Sequence, residues 1–295
     1  MTTTVSEALT DGITRCWTLK KILYRKATPY QDIVIAETQQ GVTLFCNSER
    51  QSAEQSQLIY HEGQVIPAAL LCNKLDSALI IGSSEGVSAQ MVVALGAKDV
   101  THVDIDSECI EACARYLPYG YDMEELNNIK EKRSPIKLVI ADGFEFVKHA
   151  VAEGKLYDLI VLDLPDEQIE ESPQNKLYSI GFYSDIKKLL TPKGAFISQA
   201  GCSTWWRNKT LELAVRRFQQ SFETSVYYEM EEQDWSWVIG TNAKIENPAE
   251  TMVSMLRKLK YQPEFIDEIS IRKATVIPLS IRKRIAGEIK NETAM

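Results

Sequence analysis

The sequence has no apolar run long enough to cross a membrane: stretches such as Ala78 to Ile81 and Leu159 to Leu162 fall far short of the roughly 20 residues a spanning helix needs. The opening segment MTTTVSEALTDG has no basic stretch followed by an apolar one, so no secretory leader is visible and a cytoplasmic location is expected. Cysteines are few and scattered. Among Cys16, Cys46, Cys72, Cys109, Cys113 and Cys202 the one close pair is Cys109 and Cys113, a helical turn apart with no other ligand type nearby. That spacing spells neither a zinc site nor a disulfide framework, so structural thiols and no metal are expected. Apart from the late IRKRI there is no cluster of basic residues, and the net charge is −8. A nucleic-acid groove needs concentrated cations to displace counterions from phosphates, so that partner is disfavoured and a cationic small molecule suits the field better. The phosphate-cradling patterns GxGxxG and GxxxxGK[ST] are also missing, which argues against a dinucleotide or ATP. Nor is there a polar low-complexity tract: 44% apolar and 25% charged residues describe an ordinary globular chain.

What is present reads as two units, residues 1–73 and 74–295. In the first, ILY, DIVIAET and VTLFC are strands separated by KATPYQ and TQQG, and the alternation of Ile33, Ile35, Val42 and Leu44 is that of a half-buried hairpin. This predicts a small N-terminal β-domain, with strand character running from residue 20 to 60. From Ala78 onward short apolar strands alternate with helices. The strands are ALIIG, DVTHVDID, KLVIAD, YDLIVLD and AFISQ; the helices are expected over Val87 to Leu95, Glu108 to Tyr116, Phe144 to Val151, Phe182 to Leu190 and Thr210 to Phe218. Such alternation implies a parallel sheet covered on both faces and wound in right-handed crossovers. TSVYYEM and WSWVIGTN are joined by about four polar residues and must pair antiparallel. Five parallel strands with an antiparallel final pair is the layout of a Rossmann-like S-adenosylmethionine-transferase fold. The tail after Asn247, with a helix over Met252 to Lys260, is too short for a domain and is expected to pack on the flank of that sheet.

Acidic residues collect at the ends of these strands. ALIIG runs into Gly82-Ser83-Ser84-Glu85-Gly86, where small residues let the backbone approach a ligand. About 20 residues on, Asp104 can accept the two ribose hydroxyls of a nucleoside. Asp142-Gly143 closes the third strand at the same sheet edge, where Asp142 suits an adenine amino group. A plainer alternative for Asp104 and Asp142 is the N-cap of the helix that follows each, since Asp is favoured there. Glu85 would repel phosphate and attract an amine or sulfonium. The fourth strand ends in Asp163-Leu164-Pro165-Asp166, two carboxylates placed to hold an amine and accept its proton.

These residues give the chain a resemblance to the spermidine synthase (aminopropyltransferase) family, over about Leu19 to Leu279. TPYQDIVIAET resembles the family's TPYQ-x-I segment, and Gln51 with Tyr60-His61-Glu62 its Q…YHE element. GSSEG stands for GGGDGG, VDID for VEID, ADG for GDG, DLPD for D-x-x-D and NKLYSIGFY for L-Y-x-x-x-F-Y; FISQAG and QDWSWVIGTN resemble the last parallel strand and the final strand. The resemblance implies transfer of a 3-aminopropyl group from decarboxylated S-adenosylmethionine, a co-substrate rather than a permanently bound cofactor, to putrescine or a related polyamine. It implies that Asp163 is the general base and that Asp166 with Gln199 holds the accepting amine. Asp104 then binds ribose and Asp142 adenine, Gly82 and Gly143 give the nucleoside close approach, and Gln31, Tyr60 and His61 close over the donor. Ser83-Ser84 replaces Gly-Gly, Glu85 replaces an aspartate, and Ser56-Gln57 replaces Asp-Glu before YHE. Two other readings use the same scaffold: an amine N-methyltransferase using S-adenosylmethionine itself, and a catalytically silent polyamine-binding relative. An acid at position 85 favours the decarboxylated donor, because a methionine carboxylate would be repelled. A homodimer or homotetramer is expected, since a small N-terminal sheet alone leaves open edges.

Overall fold

The structure, a computed structural model, describes residues 3–167, 172–205 and 208–288. The chain opens with a hairpin, β1 (Thr3–Thr10) and β2 (Ile13–Leu19), turning at Asp11-Gly12, where Gly12 takes the left-handed φ of 76° that such turns demand. This hairpin lies ahead of the strands expected from residue 20. Trp17 secures it, donating to Glu7 Oε2 at 2.7 Å and packing edge-on against Phe45. Next comes an antiparallel meander of β3 (Lys21–Ala27), β4 (Asp32–Thr38), β5 (Gly41–Cys46) and β6 (Glu49–Ala53). Its alternating Ile33, Ile35 and Leu44 face the later helix bearing Cys109, Ala112 and Cys113, so the period of two in the sequence is spent on that contact.

Strand character stops at Ala53. α1 (Gln57–Ala69) is a helix that packs on the large sheet, although it precedes the division at 73/74. Gly63 is what lets it lie so close: a Cβ there would sit 2.6 Å from Met230 and 3.2 Å from the Trp237 ring.

The large sheet uses β7 (Ser77–Gly82), β8 (Asp99–Asp104), β9 (Ile136–Ile140), β10 (Tyr157–Asp163), β11 (Leu190–Gln199), β12 (Thr224–Met230) and β13 (Trp235–Thr241), in the order β12-β13-β11-β10-β7-β8-β9. The five strands from β9 to β11 are parallel, β13 runs antiparallel beside β11, and β12 takes the edge. This is the expected Rossmann-like fold. The segment TPKG, expected as a turn, falls inside β11, and the pairing with β10 slips there, from Tyr157↔Leu190 to Leu159↔Ala195.

Helices α2 (Val87–Ala94), α3 (Ser107–Tyr116), α4 (Met123–Lys130), α5 (Gly143–Ala152), α6 (Ile180–Leu189) and α7 (Asn208–Ser221) cover the sheet. Successive residues of β7 serve opposite faces: Ile80 packs with Val65 and Val92, Leu79 with Phe182 and Val147. The tail, α8 (Pro248–Leu256), α9 (Glu268–Ala274) and α10 (Leu279–Ile285), crosses from one face to the other, Ile271 packing in the first core and Ile281 in the second. Buried Glu62 of α1 pins it, accepting from Tyr261 Oη at 2.9 Å and from the amides of Glu264 and Phe265 at 2.9 and 2.8 Å. No helix among the described residues is long and apolar enough to cross a membrane.

Candidate active site

The chain leaves β7 toward β8 and β9 on one side and reaches β10 and β11 on the other, so the sheet order reverses between β7 and β10. Ligands of open α/β sheets bind outside the carboxyl ends of strands at such a reversal. Gly82 and Asp163 are register partners at that point. Gly82 has a φ of 85°, and its Cα faces the Asp163 carbonyl so closely that no Cβ fits. Ser83 follows with φ 69°, a strained value for a residue with a side chain, and its buried hydroxyl has no partner in the protein. Below this loop the buried His102, its pKa pushed down to about 4 by burial, is neutral and donates from Nε2 to the Gly82 carbonyl at 2.7 Å.

Above it opens a cleft of about 570 Å³, within the usual range for a small-molecule site. Its walls include Gln31, Tyr60, Gly82, Glu85, Asp104, Asp142, Gly143, Asp163 and Gln199, nine of the residues expected at the site, together with Gln51. Glu49 also lines it, making five carboxylates against the one ammonium of Lys176 among the described residues, so the cleft favours a cation.

Asp104 is buried at the end of β8. Its Oδ1 accepts the Asp106 amide and its Oδ2 the Ser84 hydroxyl, each at 2.8 Å. Burial pushes its pKa up to about 7 even against those two hydrogen bonds. The N-cap of α3 is Asp106, not Asp104: its Oδ1 accepts the amides of Glu108 and Cys109, while Oδ2 takes Thr28 Oγ1 at 2.7 Å and Gln31 Nε2 at 3.0 Å. Asp106 thus clasps the TPYQ loop to the catalytic sheet. Asp106 did not stand out in the sequence. Asp142 does both things open to it: Oδ1 caps α5 through the Phe144 amide at 2.8 Å, and Asp142 lines the cleft. Its Oδ2 is held by Lys176 at 2.7 Å. Partial burial works to raise its pKa, but Lys176 and the helix amides outweigh it and keep the carboxyl below its ordinary value.

His61 and Asp166 are buried behind the walls rather than lining them. His61 Nδ1 lies 2.6 Å from the Gln57 carbonyl, which can only accept, and Nε2 lies 3.3 Å from Glu85 Oε1. Nδ1 is therefore the donor to that carbonyl. Burial opposes a charge on the ring, but Glu85 outweighs it and raises the imidazole pKa above its ordinary value. Asp166 accepts the Gly201 amide at 3.1 Å, joining the loop after β10 to the loop after β11.

Asp163 closes the cleft floor. Tyr60 Oη donates to its Oδ1 at 2.9 Å and lies 3.1 Å from Gln199 Oε1. Burial first, and then the Asp163 charge, push the Tyr60 pKa far up, so the phenol keeps its proton. Gln64 of α1 and Ser88 of α2 also reach Asp163, at 2.8 and 2.9 Å, and neither stood out in the sequence.

The sequence profile of the spermine/spermidine synthase domain matches residues 57–232. A polyamine aminopropyltransferase of Thermoplasma volcanium is 31% identical over 76% of this chain and 77% of its own. The chain belongs to the spermine/spermidine synthase family. It is accordingly a transferase of the polyamine aminopropyltransferase kind. Thermospermine synthase ACAULIS5 of Arabidopsis thaliana is 26% identical over 96% of this chain and 84% of its own. Among solved structures, spermidine synthase in complex with the transition state analogue AdoDATO superposes with a TM-score of 0.82 at 19% identity, covering 97% of this chain and 96% of that one. Spermidine synthase from Thermotoga maritima gives 0.81, also at 19% identity, over 97% and 95%. At this identity they attest the fold, including the small β-sheets ahead of the family's Rossmann-like sheet.

Proposed function

We propose that this family member transfers the 3-aminopropyl group of decarboxylated S-adenosylmethionine to putrescine or a closely related amine, releasing 5′-methylthioadenosine. The observation that carries the reading is Asp163 at the carboxyl end of β10, in one acid-lined cleft with Asp104 and Glu85. Ribose hydroxyls meet Asp104, adenine lies toward Asp142 and Gly143, and the aminopropyl chain runs past Gly82 toward Glu85. The attacking amine stands over Asp163, beside Gln199 and Tyr60, with Gln31 on the donor side. Asp166 acts on the acceptor through the loop it holds, and His61 holds Glu85 in place. The amine nitrogen bonds the aminopropyl carbon, the carbon–sulfur bond breaks with its electron pair passing to sulfur, and the nitrogen's proton goes to Asp163. The Glu85 carboxyl group faces the donor's ammonium and disfavours the carboxylate that S-adenosylmethionine carries.

Incubation with each donor and a panel of putrescine, cadaverine, agmatine and longer polyamines, read by mass, tests this. Methylthioadenosine with an aminopropylated amine is expected. Adenosylhomocysteine with a methylated amine would instead mark methyl transfer and refute the reading. In the same assay Glu85→Gln should raise the KM for the decarboxylated donor about 10- to 100-fold, the cost of losing a charged hydrogen bond, and leave methylthioadenosine affinity nearly unchanged. Equal losses for both ligands would remove Glu85 from the aminopropyl end.

A further inference from the structure

Two polar side chains with no part in the chemistry above sit without any exposed surface behind Asp163: Gln64 on α1 and Ser88 on α2. Burying an amide and a hydroxyl is costly unless both are paired. Among the described residues they are paired only with each other, with Tyr60 and with Asp163. Gln64 Nε2 donates to Asp163 Oδ1 at 2.8 Å, Ser88 Oγ lies 2.9 Å from Asp163 Oδ2, and the same Oγ lies 2.8 Å from Gln64 Oε1. Gln64 Nε2 also comes within 3.4 Å of Tyr60 Oη.

The protons in this trio do not suffice while Asp163 is ionised. A serine hydroxyl has one proton, and both oxygens facing Ser88 are then pure acceptors, so one of the two short contacts lacks a hydrogen. Turning the Gln64 amide over does not help, because its oxygen would then face Asp163 Oδ1. The other groups around Asp163 do not supply the proton either: Tyr60 points to Oδ1, His102 is neutral and bound to Gly82, and Glu85 and Asp166 are acids engaged with His61 and Gly201. One added proton on Asp163 Oδ2 completes the set. Oδ2–H then donates to Ser88 Oγ, Oγ–H to Gln64 Oε1, and Gln64 Nε2–H to Asp163 Oδ1, with every donor matched to an acceptor around a closed circuit.

We propose that Gln64, Ser88 and Asp163 form a hydrogen-bond ring that closes when Asp163 receives a proton, and that Gln64 and Ser88 are thereby positioning residues for the proton-accepting step. The proton is the one released by the amine as its bond to carbon forms. The ring stands on the geometry alone; its part in catalysis rests on the aminopropyl transfer proposed for this cleft.

Asp163→Asn tests the ring without activity, since the Asn Nδ2–H replaces the Oδ2–H of the protonated acid. Thermal unfolding at pH 8 should show its Tm about 2 to 4 °C above wild type, and adding Ser88→Ala should abolish the gain. An ordinary ionised aspartate accepting three hydrogen bonds would be better held than its amide, so a lowered Tm for Asp163→Asn overturns the ring. For the catalytic part, Gln64→Leu and Ser88→Ala should each lower kcat about tenfold while the KM for diamine and the Kd for methylthioadenosine stay put. Ser88→Thr should restore the rate, and the double variant should fall no further than the worse single, because either change opens the same ring. Unchanged kcat in both singles, or losses that multiply in the double, overturns the positioning role. If the wild-type protein transfers no aminopropyl group, the function assigned to the cleft fails, while the melting comparison still decides the ring.

Discussion

Asp163→Asn should lower kcat for aminopropyl transfer by at least about 100-fold, and toward 10,000-fold, with the methylthioadenosine Kd nearly unchanged. The asparagine keeps the shape of the side chain, and its oxygen still accepts from Tyr60 and Gln64, so the cleft stays built. What disappears is the carboxylate proposed to take the amine's proton. In the proposed function nucleoside binding rests on Asp104 and Asp142, which line the cleft at the ends of β8 and β9, and should be spared. Steady-state turnover with saturating donor and diamine, paired with calorimetry for methylthioadenosine, separates the two effects. Near-normal turnover with every amine the wild type accepts would send the proton elsewhere and end the assignment of Asp163 as base.

Much of this site was legible because a parallel sheet leaves a plain signature. Buried strands such as YDLIVLD are continuous apolar runs, and a carboxylate at the end of each stands at the one edge where ligands collect. Asp104, Asp142 and Asp163 fall into place from that rule alone. α1 obeys no such rule. Its sequence QLIYHEGQVIPAA carries Gly63 and Pro67, both poor helix residues, and buries His61, Glu62 and Gln64. A helix enclosed between the sheet and the tail has no solvent face to generate a periodic pattern, so its polar residues look like loop. Gln64 was lost with it. Ser88, one polar residue in the apolar start of α2, carried no signal that distinguishes a hydroxyl bonded to Asp163 from an ordinary small core residue. The hairpin of β1 and β2 was lost differently: its outward Thr and Ser positions resemble a polar leader, and the Asp11-Gly12 turn was the one cue that marked it.

The second large effect is expected at Asp104, where function and stability pull in opposite directions. A carboxylate has about four lone-pair positions, and Ser84 and Asp106 occupy one on each oxygen, leaving one per oxygen for the two hydroxyls of a ribose. Those hydroxyls are donors, so they favour the ionised form, yet burial holds the pKa at about 7. Nucleoside binding should therefore tighten as pH rises through about 7 and should release a proton. Stability runs the other way. The folded carboxyl stays protonated up to about pH 7 while the unfolded one ionises near 4, so this group's contribution is complete below about pH 4 and is lost as pH rises to 7, an effect of about 4 kcal/mol. Asp104→Asn removes the titration. Its oxygen can still accept from Asp106 and its amide can donate to Ser84 Oγ, so the variant should melt about 5 °C or more above wild type at pH 8, with the gain shrinking as pH is lowered toward 4. The same change should weaken methylthioadenosine about 10- to 100-fold, the worth of charged hydrogen bonds to the ribose, and flatten the pH dependence of its Kd. Calorimetry at pH 6, 7 and 8, in buffers of differing ionisation enthalpy, reads affinity and proton release together. A variant that binds as tightly as wild type, or that keeps the same pH dependence, would show that the ribose is held elsewhere and that the burial of Asp104 serves the fold alone.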